Sequence, residues 1–230
     1  MIQIENTEVA GLRAAIRGMR NPMNSWAQSD SHYADNDEED VYCVGEKDLD
    51  LMKRLVFSGT DHSKFMRMIT VSADITAPLY WWKEYDTYKV GTVANSCSTM
   101  HKLTDKEFEV GDFSWEHLLV TVPMAEVIVG GNKHYTTAFG ELQNIIRVLN
   151  HFRKLYLKTD DPKLKKTYWW QMIQLLPTSY NQRRTVLLNY AVLRNIYHAR
   201  RNHKLDEWHR FCEWIEELPY SELITMKGAK

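Results

Sequence analysis

This chain of 230 residues has almost no net charge, because 29 Lys and Arg stand against 30 Asp and Glu. That balance excludes a general electrostatic attraction to nucleic acid or to an anionic membrane surface. Cysteine is scarce: only Cys43, Cys97 and Cys212 are present. An odd number of widely spaced thiols builds neither a disulfide framework nor a paired metal-ligand pattern, which predicts reduced thiols in a cytoplasmic protein without a metal. Long apolar runs are missing too. Nothing approaches the ~20 residues of a membrane span, and the N-terminus lacks the apolar centre of a signal peptide. There is no internal repeat and no low-complexity segment. A chain of this length is expected to form one domain over 1–230 and to bury about 70% of its unfolded surface.

What the chain has in abundance is aromatic residues, with 8 Trp and 12 Tyr. They supply contact area for cores, interfaces and base-stacking pockets alike. The hydropathy pattern predicts mixed structure. A short strand at Met1–Glu5 is followed by a helix capped by Thr7 and carrying Val9, Leu12, Ala15, Ile16 and Met19, which Asn21-Pro22 ends. A polar loop spans Pro22 to Gly45, its acidic run Asp35–Asp40 too charged to bury. Leu49, Met52, Leu55 and Val56 mark a helix with Gly59 beyond its end. Phe108–Trp115 reads as loop, and Leu118–Val122 with Val127–Gly131 as a strand or buried helix, then a turn. The last 90 residues read as four helices, starting near Glu141, after Pro162, at about Arg183 to His203, and around Leu205–Ile215.

One stretch stands out. Ile69, Val71, Ala73 and Ile75 alternate with polar residues as in a half-buried strand, which Ala77-Pro78 closes before a short helix bearing Leu79, Tyr80, Trp82 and Tyr85. That helix runs into Lys89–Thr99, a turn dense in small polar side chains. Gly91 permits close backbone approach, and Thr92, Asn95, Ser96, Ser98 and Thr99 offer hydroxyls and amides suited to a phosphate or a base edge. By composition alone, an ordinary polar turn that caps the next element is the competing reading.

From His62 to Leu103 the chain resembles the core of the flavin-dependent thymidylate synthases, the ThyX family. The order is the same: a His, a strand, Ala-Pro, an amphipathic helix, then the signature Arg-His-Arg-x-x-Ser-x-Asn-x-x-Ser-x-Arg. Here those positions hold Thr87, Tyr88, Lys89, Thr92, Ala94, Cys97 and Thr99. A second block, Leu176-Pro177 and later Asn189, Leu193, Asn195 and Arg200, resembles the family's Leu-Pro and its following helix, with Ala191 in place of that helix's first arginine. Together the blocks cover about a third of the chain.

The resemblance implies an α+β fold, helix-rich around a modest antiparallel or mixed sheet, assembled as a homotetramer with active sites at subunit interfaces. It implies binding of FAD and a dUMP-like pyrimidine nucleotide, with NADPH and methylenetetrahydrofolate as further reactants in dTMP synthesis. No protein nucleophile is implied, since flavin and placement of the nucleotide carry such a methyltransferase reaction. The flavin falls to His62, Lys89, Asn189 and Asn195; the nucleotide falls to Glu84, Thr92, Asn95, Cys97, Ser98 and Arg200. Each also has an ordinary reading: His62 as a surface or capping residue, Cys97 as a small buried side chain, Arg200 on a solvated helical face. Lys89, Arg183, Arg184, Arg194 and Arg201 are the cations at hand to replace the family's missing arginines. A binding protein on the same scaffold, without turnover, is the alternative from another class. Nucleic-acid binding by the basic helix Arg194–Lys204, with Tyr197 and Trp208, ranks below both.

Overall fold

The strand predicted after Arg67 is the spine of the structure. Ile69, Val71, Ala73, Ile75 and Ala77 are buried to within about 1% of full burial, while Thr70, Ser72, Asp74 and Thr76 between them are only half-buried. Period-two patterning thus fixes which face of the strand meets the core. A computed structural model of the chain describes residues 2–34, 42–122, 125–129 and 132–228, without the side chains of 125–129 and 132–134.

In chain order the elements are β1 (Gln3–Ala10), α1 (Leu12–Arg20), β2 (His32–Tyr33), β3 (Tyr42–Cys43), α2 (Glu46–Phe57), β4 (Thr70–Pro78), α3 (Leu79–Tyr85), β5 (Val93–Ser96), α4 (Thr99–Lys102), β6 (Ala125–Val129), β7 (Asn132–Thr136), α5 (Ala138–Lys158), α6 (Pro162–Leu175), β8 (Asn181–Asn189), α7 (Tyr190–Arg200), α8 (Asp206–Glu216) and α9 (Glu222–Thr225). The result is a helix-rich α+β fold with a small antiparallel sheet, ordered β1-β4-β8-β5. The short pairs β2–β3 and β6–β7 stand apart from it.

The described residues divide into two compact units. One comprises 76–83 and 96–183; the other comprises 2–75, 84–95 and 184–228. In the first, the α5–α6 hairpin closes over a core of Leu103, Phe108, Phe113, Leu142, Ile146, Leu149 and Met172. Asp161 caps α6 by accepting from the Lys163 amide at 2.8 Å, and Pro162 opens it, so the break read at Thr159–Pro162 has a physical cause. In the second, the apolar faces of α1, α2, α7, α8 and α9 bury Ile16, Met52, Leu193, Ile196, Phe211, Ile215 and Leu223. Asp48, fully buried there, is held by the Arg20 guanidinium at 2.6 Å and by the hydroxyls of Ser29 and Ser31 at 2.5 and 2.6 Å.

Several expectations fail for identifiable reasons. Thr7 caps no helix: β1 continues through it to Ala10, and its hydroxyl accepts from the Trp214 indole at 3.0 Å. The chain turns instead at Gly11, whose φ of 90° suits glycine and where a Cβ would strike the Met68 carbonyl at 2.0 Å. The helix expected from Arg183 begins only at Tyr190. Before it, Val186 and Leu188 are buried while Thr185 and Leu187 are exposed, which is strand alternation hidden by the adjacent leucines. Lys89–Thr99 is not all turn, since Val93–Ser96 forms the edge strand β5. Leu118–Val122 is neither strand nor helix, with Leu119, Val120 and Val122 about half exposed. The polar loop after Pro22 contains short turns and the β2–β3 pair, while the acidic run Asp35–Asp40 lies outside the described residues. Phe108–Trp115 includes a single 3-10 turn at Val110–Asp112.

Candidate functional site

Glu84 comes from the last turn of α3, and Tyr88 follows it by four residues. Arg200 closes α7, His203 lies just past it, and Trp208 sits in the first turns of α8. These five residues meet. Arg200 donates from Nη1 to Glu84 Oε2 at 2.9 Å and from Nε to the Tyr88 hydroxyl at 2.8 Å. Its guanidinium carbon lies 5.0 Å from the Trp208 ring centroid and 5.6 Å from that of Tyr88, within cation–π range.

Glu84 Oε2 also accepts from the Trp208 indole at 3.1 Å and lies 3.4 Å from His203 Nε2. His203 Nδ1 accepts from the Leu205 amide at 3.2 Å, so in the neutral ring the proton sits on Nε2 and points to the carboxylate. All three donors converge on one oxygen. Among the described residues, Glu84 Oε1 accepts nothing and Arg200 Nη2 donates to nothing. Trp208 is fully buried, whereas the Arg200 and Glu84 side chains keep 20% and 34% of their exposure. A screened pair of this kind is worth only about 0.2–1 kcal/mol; its main effect is to hold two polar groups in one orientation.

A second convergence lies at the start of α7. Asn189 caps that helix, its Oδ1 accepting from the Val192 amide at 3.0 Å. Gly91 packs against it with φ of 80°, and a Cβ there would stand 3.0 Å from Asn189 Nδ2 and 3.1 Å from Val192 Cγ2. Thr92 donates its hydroxyl to the Tyr88 carbonyl at 2.7 Å, fixing the same turn. The two sequence blocks therefore touch at both ends of α7: Gly91 at its N-cap Asn189, Tyr88 and Glu84 at its last residue Arg200.

The other candidates are dispersed. Lys89, Asn95 and Asn195 are exposed and have no side-chain hydrogen bond or ion pair among the described residues. His62 lies on the turn after α2 and lines a cleft of about 900 Å³ with Lys47, Arg54, Lys64 and residues of α1. In the first unit, Cys97 is exposed, its amide donating to the Arg183 carbonyl at 2.9 Å and its carbonyl accepting from Gln182 Nε2 at 2.8 Å. Ser98 caps α4, accepting from the His101 amide at 3.1 Å.

Of the cations at hand to replace the missing arginines, Arg184 pairs with Asp86 at 2.7 Å and Arg194 donates to the carbonyls of Leu223 and Ile224. Tyr197 is buried and donates to Glu216, and Trp208 is inside, so the basic helix presents neither ring for stacking. The sequence reading missed His203 and assigned Trp208 no part in this cluster. The spacing of Arg200, His203 and Trp208 around a helix junction was the available signal.

No family profile matches the sequence, and no curated protein matches it. The likeness is structural. A flavin-dependent thymidylate synthase ThyX from Helicobacter pylori, complexed with FAD and dUMP, superposes with a TM-score of 0.65 at 17% identity, over 99% of this chain and 100% of that one. A second Helicobacter pylori ThyX structure with FAD and dUMP gives 0.61 at 15%, covering 97% and 96%. A UMP/dUMP methylase, PolB from Streptomyces cacaoi, bound with 5-Br dUMP, gives 0.56 at 14%, covering 97% and 94%. With end-to-end coverage and few shared residues, the common feature is the path of the backbone: this chain has the fold of the flavin-dependent thymidylate synthases.

Proposed function

We propose that the chain binds a pyrimidine nucleotide resembling dUMP, reads its base with Glu84, Arg200 and Tyr88, and holds FAD for reductive methylation or a related modification of that base. One observation carries the reading: in the joined Arg200–Glu84 pair an acceptor, Glu84 Oε1, and a donor, Arg200 Nη2, are each left without a protein partner among the described residues. Uracil presents the complementary pair, an N–H beside a carbonyl, along its amide edge. Because Tyr88 accepts from Arg200, its own hydroxyl proton is left to donate. The exposed Asn95 amide suits a sugar or phosphate oxygen, and the Thr92 oxygen, its proton given to the Tyr88 carbonyl, suits a sugar hydroxyl. Cys97 and Ser98 fall to the substrate side by the resemblance alone.

The flavin would be held by Lys89, whose exposed ammonium suits a diphosphate, by the amides of Asn189 and Asn195, and by His62 with Lys47 and Lys64 in its cleft. The 900 Å³ of that cleft lies within the size range of cofactor sites. In a homotetramer with sites at subunit faces, His62 of one protomer and Lys89 of another would serve a single flavin. Bound flavin supplies the electrons; the chain's own residues bind, orient and exclude water. NADPH and methylenetetrahydrofolate would enter as reductant and carbon donor.

A second reading, nucleotide binding without turnover, is favoured by Thr87, Thr99 and Ala191 at arginine positions while Arg184 and Arg194 are engaged elsewhere. Purified protein loaded with FAD and freed of excess separates the two. Retained yellow flavin, together with a melting temperature raised by dUMP, supports the first. A colourless protein still stabilised by dUMP supports the second, and no response to either ligand contradicts both.

A further inference from the structure

The first unit contains a pocket of about 560 Å³ that the preceding reading does not use, lined by Met100, His101, Thr104, Tyr156, Lys165, Lys166 and Trp169. Its size falls within the range of small-ligand sites. Its lining is chemically one-sided, with two lysines and a histidine but no carboxylate. Among the described residues neither Lys165 nor Lys166 forms an ion pair. Lys165 is drawn over the Tyr156 ring, its ammonium 5.8 Å from the centroid.

The position of these lysines is unfavourable for the helix that carries them. Lys163, Lys165 and Lys166 crowd the start of α6, whose first turn holds no acidic residue. Cations at the positive end of a helix macrodipole are disfavoured. An anion in the pocket would turn that local cost into binding energy. The aromatic side of the pocket is firmly built: Trp169 donates its indole N–H to the Met100 carbonyl at 3.1 Å and packs against the α5–α6 core. With its donor satisfied, Trp169 offers a fixed ring surface, and a pre-oriented ring loses little entropy when a flat ligand stacks on it.

We propose that this pocket is a second, separate site for a nucleoside monophosphate, its base lying against Tyr156 and Trp169 and its phosphate meeting Lys165, Lys166 and His101. A bare anion would leave the rings unused, and a neutral heterocycle would leave the lysines unneutralised; only a ligand with both parts matches the lining.

The test is equilibrium dialysis of labelled AMP against the Arg200→Ala protein, so that the site at the end of α7 does not contribute. The proposal expects saturable AMP binding that weakens as salt rises. The Lys165→Gln/Lys166→Gln double variant should bind at least about tenfold more weakly, the scale of losing charge-assisted hydrogen bonds. Trp169→Phe, which keeps a smaller ring, should lose severalfold. Should the double variant melt early, Lys166→Gln alone, at an exposed position, carries the same expectation. Absence of AMP binding, or equal binding by the lysine variants, overturns the proposal. So does competition by inorganic phosphate as strong as by unlabelled AMP, which would show that the rings contribute nothing. An oligonucleotide that binds far more tightly than AMP would reassign the pocket to nucleic acid and also overturn it.

Discussion

Arg200 and Glu84 meet through a single carboxylate oxygen: Nη1 lies 2.9 Å from Oε2, the oxygen that also takes the Trp208 indole. A bidentate pair would have used both oxygens and both terminal nitrogens. The one-oxygen arrangement leaves each partner one polar atom for another molecule, and the site's polarity is therefore mixed rather than purely cationic.

Glu84 Oε1 is the acceptor proposed for the uracil N–H. Glu84→Gln retains an oxygen for Trp208 and His203 but removes the charge that strengthens a hydrogen bond from the base. Calorimetric titration should show dUMP binding about fivefold more weakly, the scale of reducing a charge-assisted hydrogen bond to a neutral one. Unchanged or tighter binding would mean that the carboxylate does not contact the base.

Asp48 supplies a stability test away from the site. Burial works to raise its pKa, but hydrogen bonds from Ser29, Ser31 and Arg20, and the Arg20 charge, hold it below the usual carboxylate value. A depressed carboxylate contributes stability that is complete above its unfolded pKa, about 4, and is lost as pH falls through the folded value. Urea unfolding should therefore show wild-type stability falling below about pH 4, with a shallower fall in Asp48→Asn. At neutral pH that variant should be less stable by about 3 kcal/mol, the scale for breaking a buried pair.

Gly91 joins the signature turn to α7. With a φ of 80° and a Cβ that would press on Asn189 Nδ2, Gly91→Ala should cost about 1–2 kcal/mol. Chemical unfolding measures the loss. A neutral substitution would indicate that the turn relaxes without its glycine.

Two of the three thiols, Cys97 and Cys212, should separate by reactivity. Cys97 is exposed, whereas Cys212 is buried and burial pushes its thiol up to about 11. Mass spectrometry of the native protein after brief alkylation at pH 8 should find Cys97 modified and Cys212 intact. Early loss of Cys212 would mean that α8 opens readily.

Much of the fold was legible from local pattern. Alternation from Ile69 to Ala77 announces β4, and Pro162 after Asp161 announces the start of α6. β8 was not legible, because Leu187 and Leu188 side by side suit a helix as well as a strand; the Asn189 cap that separates β8 from α7 was the overlooked sign. Glu84 and Arg200 were visible as candidates, but their meeting depends on tertiary placement across 116 residues. His203 joins them only because the chain turns between α7 and α8, which no periodicity encodes.

The central claim is that Arg200 reads the nucleotide, and calorimetric titration of dUMP into wild-type, Arg200→Lys and Arg200→Ala protein tests it most directly. The account predicts that Arg200→Ala loses at least about tenfold in affinity, and that Arg200→Lys, a point charge without the planar fork, does not restore it. Equal dUMP affinity in all three proteins, each with an unaltered circular dichroism spectrum, would contradict it.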